Sequence, residues 1–380
     1  MGEQAPGWGA GLAERLAAAR LGAGLPRCLV GFDGYVDDVV RVVRAASPGR
    51  EPEFFATISE FAGHIEAAAG KSADMRIVSS GARIGGNGPL LSCGLASLGA
   101  SVVCVGAMGL PELHPLFAGL PAGCRPMTIA EPGFTHAFEF LDGKLMFGNA
   151  PGLDSIDWRL VKESVGLDSF VRWFAESDLV GVVNWSSMHG LDSILEGIVA
   201  EVLPEIPADT LRRKLVAFDI ADPSARSGED FERLVDAMRA IGKRSRVALC
   251  LNEKEALIVR RYLALEKGGG ALRGGCESIY ERLGIDLLQV HAVSSAVGVD
   301  RGGSAEIEGI FVPHPVLTTG GGDNFNGGFL ASAALGLGLE DSLRVGNAAA
   351  AYYVSKGRCA SFDELGAYLS EAAGGRERRA

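Results

Sequence analysis

The chain has 380 residues, enough for two or three domains or for one large α/β domain with a smaller appendage. Its 47 acidic residues outnumber its 36 basic ones, and the net charge of −11 is spread along the whole length; this disfavours a nucleic-acid or anionic-membrane partner, which needs a basic surface. With 47% apolar and 22% charged residues the composition is globular and argues against wholesale disorder, while the 53 glycines, gathered at a few places without a collagen-like period, call for a backbone reason.

Glu3, Glu14, Arg15 and Arg20 interrupt every apolar run of the first thirty residues, so no secretory segment is expected and the protein reads as cytoplasmic. An amphipathic helix is predicted near 11–20, then a strand over Arg27–Phe32 and an extended run over 36–43. No charge occurs from 84 to 111, but Gly85-Gly86-Asn87-Gly88-Pro89 and Leu98-Gly99-Ala100 divide that run into loop, helix and buried strand. A second extended stretch, 137–147, turns at Asp142-Gly143. With the first it suits a small separate sheet, a lid, whose strands fall within 36–45 and 135–148.

Beyond 170, short apolar runs alternate with 3.6-period segments, the pattern of a parallel sheet. Strands are expected at 179–185, 214–220, 246–251 and 287–293, with helices at 191–205, 229–241 and 254–265. An antiparallel hairpin, 296–300 and 305–312, follows as a sheet edge, and three helices near 324–337, 341–356 and 362–372 end the chain. The glycine-rich 267–275 and the tail from Gly374 read as flexible, and neither marks a boundary, so a single α/β domain over 1–380 is expected. The seven cysteines, with no Cys-x-x-Cys pair, read as reduced buried thiols. The six histidines have no metal-ligand spacing; His136 falls on the lid, where it would be near a substrate.

The densest signal is Thr318-Thr319-Gly320-Gly321-Gly322-Asp323-Asn324-Phe325-Asn326-Gly327-Gly328-Phe329, leading into an Ala- and Leu-rich helix. Consecutive glycines at a helix start expose amide N–H groups where the helix dipole is positive, a site for a phosphate or a developing oxyanion. Asp323 stands at that anion's edge, a simple N-cap being the alternative. Two other phosphate motifs fail. The dinucleotide fingerprint would need glycine at Phe325 or at Leu91, and Gly70-Lys71-Ser72 has Ile65 in place of the first P-loop glycine.

The 318–329 segment resembles the C-terminal signature of ribokinase-like carbohydrate kinases of the phosphofructokinase-B type, agreeing at about ten positions. Gly85-Gly86-Asn87-Gly88, followed by Leu95-Ala96-Ser97-Leu98-Gly99-Ala100 and Gly106-Ala107-Met108-Gly109, is similar to the N-terminal signature. Asn252-Glu253-Lys254-Glu255 is similar to the family's Asn-x-x-Glu, and the three occur in family order across 28–372. The resemblance implies a mostly parallel sheet flanked by helices on both faces, with a small β lid. It also implies ATP- and Mg2+-dependent transfer of a γ-phosphate to a hydroxyl of a sugar or sugar-like molecule, and a homodimer formed through the lid.

On this resemblance Asp323 is the general base, and the amides of Gly320, Gly321 and Gly322 form the anion hole. Asn252 and Glu255 organise Mg2+ and phosphates through water. Asp33 or Asp37 binds substrate hydroxyls, with Asp38 facing solvent, and Gly85, Gly86 and Asn87 allow close approach of the sugar. Asp219 and Asp222 end a central strand at the ligand-binding edge, and Asn347 either faces the adenine or serves as a helix cap or polar face of the penultimate helix. Three departures qualify the match. Leu317 replaces an aspartate tied to a monovalent-cation site, which puts K+ activation in doubt. Leu90 replaces an asparagine that bonds pentoses or hexoses, which weakens ribose or fructose as acceptor, and Ser294-Ser295-Ala296 replaces a Thr-x-Gly near the nucleotide. The competing readings are a nucleoside or polyol kinase of the same fold and a non-catalytic nucleotide- or sugar-binding regulatory protein.

Overall fold

Nine strands form the larger sheet of the computed structural model, which describes residues 11–265 and 272–377. In chain order the strands are β1 Arg27–Phe32, β2 Tyr35–Ala45, β3 Glu53–Phe54, β4 Ile77–Gly85, β5 Ser101–Ala107, β6 Cys124–Ala130 and β7 Gly133–Phe140. They continue as β8 Gly143–Asn149, β9 Leu179–Val183, β10 Leu215–Asp219, β11 Arg246–Asn252, β12 Leu287–His291, β13 Ser295–Asp300 and β14 Gly303–Glu308. The larger sheet runs β14-β13-β12-β11-β10-β9-β1-β5-β6, parallel from β12 through β6 and closed by the antiparallel β13–β14 hairpin.

Its strands read as unbroken apolar runs because both faces are covered. Alternate residues divide between two cores. Val180, Val182, Val216, Phe218, Val247 and Leu249 pack under the helices from Trp158 to Leu283. On the other face Leu179, Ala217, Ala248 and Cys250 lie under the helices Leu12–Ala23, Asn87–Ser97, Gly321–Ala334, Leu339–Lys356 and Phe362–Glu377. The second face is built from small residues, which lets the Gly321–Ala334 helix lie close to the sheet.

A smaller sheet joins β2, β3, β4, β7 and β8, with β2 parallel to β7 and antiparallel to β4. It contains the two stretches expected to be extended and two strands the sequence did not signal. Strand β4 is exposed along most of its length and has no apolar alternation. Strand β6, also unforeseen, is the edge of the larger sheet, where Pro126 is tolerated because no neighbour needs its missing N–H.

Other expectations need correction. The second hairpin strand ends at Glu308, short of 312. Of the stretch expected to be flexible, 266–271 lies outside the described residues, while Leu272–Leu283 is a helix that buries Cys276, Ile279 and Leu283. The last helix continues to Glu377, so 374–377 is helical and only 378–380 of that tail lies outside the description. Among the described residues no helix is long and apolar enough to cross a membrane.

Candidate active site

Five parallel strands end at one edge of the larger sheet, and each delivers a polar residue there. Asp33 and Asn184 follow β1 and β9, while Asp219, Asn252 and His291 close β10, β11 and β12. Asp33 is fully buried. Its carboxylate accepts the backbone N–H groups of Asn87 (2.9 Å) and Gly88 (2.7 Å) and the Asn184 amide (2.7 Å). It thereby caps, from a neighbouring strand, the Asn87–Ser97 helix, whose own N-cap is Gly86 at φ 90°. Asn87 in turn donates through Nδ2 to Asp323 Oδ1 at 2.9 Å.

Asp323 lies in the first turn of the Gly321–Ala334 helix, after Gly320 in the left-handed region at φ 87°. It borders a cavity of about 370 Å³ between the sheet edge and the smaller sheet, whose walls include Asp37, Asn87, Thr135, Lys144 and Asn184. Register explains the far wall. Asp37 pairs with Thr135 and Thr135 with Gly148, so Asp37, Thr135, Lys144 and Met146 share one face of the smaller sheet. Lys144 reaches Thr319 Oγ1 with its Nζ at 3.3 Å.

A second cavity, of about 440 Å³, lies behind the same turn. Thr319, Gly320 and Asp323 face the first cavity, whereas Thr318 and Gly321 face the second, so one glycine-rich turn serves both. The second is walled by Val293, Phe311, Ala350 and Val354, with Asn252, Glu253, Lys254, His291, Thr318 and Asn347 as its polar points. His291 stacks on Phe325 at 5.1 Å, and burial lowers its pKa to about 4, leaving it neutral near pH 7. A Cβ at Gly322 would lie 2.9 Å from His291 Nε2, which explains glycine there.

Five desolvated carboxylates, Asp33, Asp37, Asp219, Glu255 and Asp323, set the electrostatics. Burial, then the charges of Asp219 and Asp33, hold Asp323 well above the usual carboxylate range; Asn87 and Lys144 pull it back. Burial raises Asp37 to about 6, opposed by its bond to Thr135 and by Lys144. Asp219 is likewise pushed up to about 6 by burial, and Glu255 is raised by burial and by Asp219. Desolvation holds the Lys144 ammonium below the usual lysine value although the residue as a whole is exposed, with Asp323, Asp37 and Glu139 acting the other way.

The residues singled out from sequence therefore separate. Gly320, Gly321, Asp323, Gly86, Asn87 and Asp37 come together at the turn and the first cavity. Asp33 does not line that cavity: its oxygens are taken up by the helix cap, and of the two candidate aspartates only Asp37 faces the space. Gly85 is glycine because a Cβ there would meet the Asp37 carboxylate at 2.3–2.5 Å, so it makes room for Asp37 and does not line the cavity. Asp219 lines neither cavity. It accepts from Asn326 Nδ2 at 2.7 Å and the Ala221 N–H at 3.0 Å, tying the Gly321–Ala334 helix to β10.

Asn252 and Glu255 form a capping box at the start of the Glu253–Tyr262 helix, with Asn252 on the second cavity and Glu255 buried behind it. Asn347 does reach the second cavity, but its amide is engaged by the Ile310 N–H and the Glu308 carbonyl. Asp38 faces away from both cavities, paired with His136 and accepting from Ser79, so neither it nor His136 touches the site. Asn184 and Lys144 were missed. Asn184 carried the signal that exposed Asp219 and Asn252, a polar residue closing an apolar strand; Lys144 carried none, because its place depends on how the smaller sheet folds over the larger.

The family description "prokaryotic ketohexokinase" matches residues 13–372. A ketohexokinase of Haloferax volcanii is 32% identical over 353 residues, covering 90% of this chain and 91% of that protein. Among solved structures, the ribokinase of Thermotoga maritima aligns with TM-score 0.58 at 19% identity, covering 91% of this chain and 99% of its own. The Arabidopsis thaliana ribokinase, solved with ribose and ATP, aligns with TM-score 0.61 at 16% identity over 90% and 98%. The structural likenesses establish the ribokinase fold, and the two sequence matches establish more: this chain belongs to the prokaryotic ketohexokinase family of carbohydrate kinases, phosphotransferases with an alcohol group as acceptor.

Proposed function

We propose that the chain uses ATP to phosphorylate a primary hydroxyl of a ketohexose, with Asp323 as the general base. The observation that carries this reading is the single turn Thr318–Asp323 set between two cavities, one lined mostly by polar residues and one largely apolar. The first cavity suits a sugar, whose hydroxyls Asp37, Asn87, Thr135, Asn184 and Ser187 can bond, whereas Leu90 on its wall offers no hydrogen bond. The apolar cavity suits a purine, with Asn252 and Gly321 toward its phosphates. Phosphoryl transfer needs in-line positioning, charge neutralisation and acceptance of a proton. Asp323 accepts the proton, and its raised pKa makes it a stronger base than an exposed carboxylate. The amides of Gly320, Gly321 and Gly322 and the Lys144 ammonium face the charge that develops on the phosphoryl oxygens.

Asp219 raises the pKa of both Glu255 and Asp323, an acidic patch whose charge a divalent cation arriving with the nucleotide would offset, but among the described residues no three carboxylates or histidines are grouped to ligate a metal directly, so the nucleotide phosphates and water would complete the Mg2+ shell. Bound there, Mg2+ would neutralise phosphate charge. Leu317 is buried and apolar, and rates are expected not to depend on K+. The test is ADP release from Mg-ATP across ketohexoses, aldohexoses, pentoses, polyols and nucleosides. Release with ketohexoses foremost, lowered at least ~10²-fold by Asp323→Asn, supports the proposal. Preference for a nucleoside or polyol would move the acceptor class, and nucleotide binding without turnover on any acceptor would favour a non-catalytic binding protein.

A further inference from the structure

The edge of the larger sheet opposite the candidate active site carries a cavity that the kinase reaction does not use. It encloses about 430 Å³ and forms where the loop before β11 meets the turn between β13 and β14. Lys243 and Arg244 line it from the first loop, Arg246 from the start of β11, Arg212 from the end of the Ala208–Arg212 helix, and Arg301 from the turn. Asp286 and Asp300 are its two acids. Both are already engaged: Asp286 accepts the Val247 N–H at 2.9 Å and pairs with Arg301 at 2.8 Å, and Asp300 accepts the Gly302 N–H at 2.7 Å. Arg212 pairs with Asp209 outside the cavity. Among the described residues, Lys243, Arg244 and Arg246 have no carboxylate partner.

With Arg212 and Arg301 already paired, Lys243, Arg244 and Arg246 remain as three cations at one concavity without a carboxylate partner, in a chain whose net charge is −11. A second observation lies on the floor. Ser245 is 5% exposed, and its hydroxyl is buried without a hydrogen-bond partner, which a native fold rarely leaves so. The volume falls in the range of small-molecule sites, roughly 300–1,000 Å³. It exceeds what one simple ion fills.

We propose that this cavity binds a small phosphate-bearing metabolite, its phosphate held by Lys243, Arg244 and Arg246. Arginines at such a site grip phosphate oxygens in pairs, which a scattered basic surface does not. The site lies one strand length, roughly 20 Å, from the candidate active site along β11, so its occupant is distinct from the nucleotide and the acceptor.

Calorimetric titration of the full chain at fixed ionic strength tests it, with inorganic phosphate, a hexose monophosphate and chloride as separate probes. Because the glycine-rich helix start can also take phosphate, the readout is the difference between the parent and Lys243→Ala/Arg244→Ala/Arg246→Ala. The expected result is one phosphate-dependent binding event whose Kd rises at least about tenfold in that variant, while Asp323→Asn retains it. Tighter binding of the hexose monophosphate than of inorganic phosphate identifies a metabolite as the source; equal binding identifies free phosphate. Arg246→Gln alone, at an exposed side chain, repeats the test if the triple variant does not fold. Unchanged binding in the folded variants, or chloride acting as well as phosphate, overturns the proposal. Retention on a polyanion column without small-anion binding overturns it in favour of a macromolecular partner.

Discussion

Asp323 is held where a carboxylate is uncomfortable, among Asp219, Asp33 and little water. The sign of the consequence follows from proton counting. Its folded pKa lies above the unfolded value of 3.8, so between the two the native state binds more protons and stability falls as pH rises; above the folded pKa the loss is complete. Asp37 and Asp219, each near 6, act in the same direction over about pH 4–6. Asp323→Asn, which keeps an acceptor for the Asn87 amide, is therefore expected to raise the melting temperature at pH 7–8 by about 2 °C or more while removing turnover. Equal melting temperatures would show that the buried charge costs nothing. Lys144 lowers the pKa of both Asp37 and Asp323. Lys144→Met should thus move the acidic limb of the pH–rate profile to higher pH and reduce kcat by about tenfold or more. A drop in rate with the limb unmoved would make Lys144 a mere packing residue.

At the scale of elements, the glycines of 320–328 do two jobs that their sequence does not distinguish. Gly320, on the first cavity, supplies the left-handed residue, and Gly322 the clearance for His291, which lines the second. Gly328 instead sets a helix crossing: a Cβ there would meet Ala349 Cβ at 2.8 Å and the Val345 carbonyl at 2.9 Å, on the Leu339–Lys356 helix. Gly328→Ala would improve helix propensity by up to about 1 kcal/mol, yet overpacking typically costs roughly 1–3 kcal/mol. The expected net is a lower urea midpoint with an unchanged m-value, and a higher midpoint would refute the crossing argument. This double use marks the limit of the sequence. The glycine turn, Asp323, Asn87 and the parallel strands were legible because local chain chemistry demands those residue types. Asp33 as a cap for a distant helix, Asp219 as an anchor for Asn326 and Gly85 as room for Asp37 depend on which strand end abuts which helix, and no local pattern carries that.

At the scale of the whole molecule, the smaller sheet has two faces with different needs. One closes the first cavity, where we place the acceptor, with Asp37, Thr135 and Lys144. The other is half covered: Phe55 and Phe61, beside and on the Ile58–Ala67 helix, pack against Phe138, Phe140 and Leu145. Beyond that cluster Phe134 is 42% exposed and Phe147 is 56% exposed. Register puts Phe134, His136 and Phe147 on the same side, away from the cavity. Contiguous aromatic exposure of this kind marks an interaction surface, and in a sheet that also walls a substrate cavity it suits a second copy of the same lid. We therefore expect a homodimer formed through this face, which would fix the lid strands over the acceptor while leaving the anion turn on the larger sheet unchanged. Phe147→Lys places an unpaired charge at such an interface and should convert the dimer mass to that of a monomer in light scattering. If the lid is ordered by that contact, the same variant should raise KM for the sugar more than KM for ATP. A monomeric parent at working concentration would refute the dimer, and a monomeric variant with both KM values unchanged would show that the lid closes without its partner.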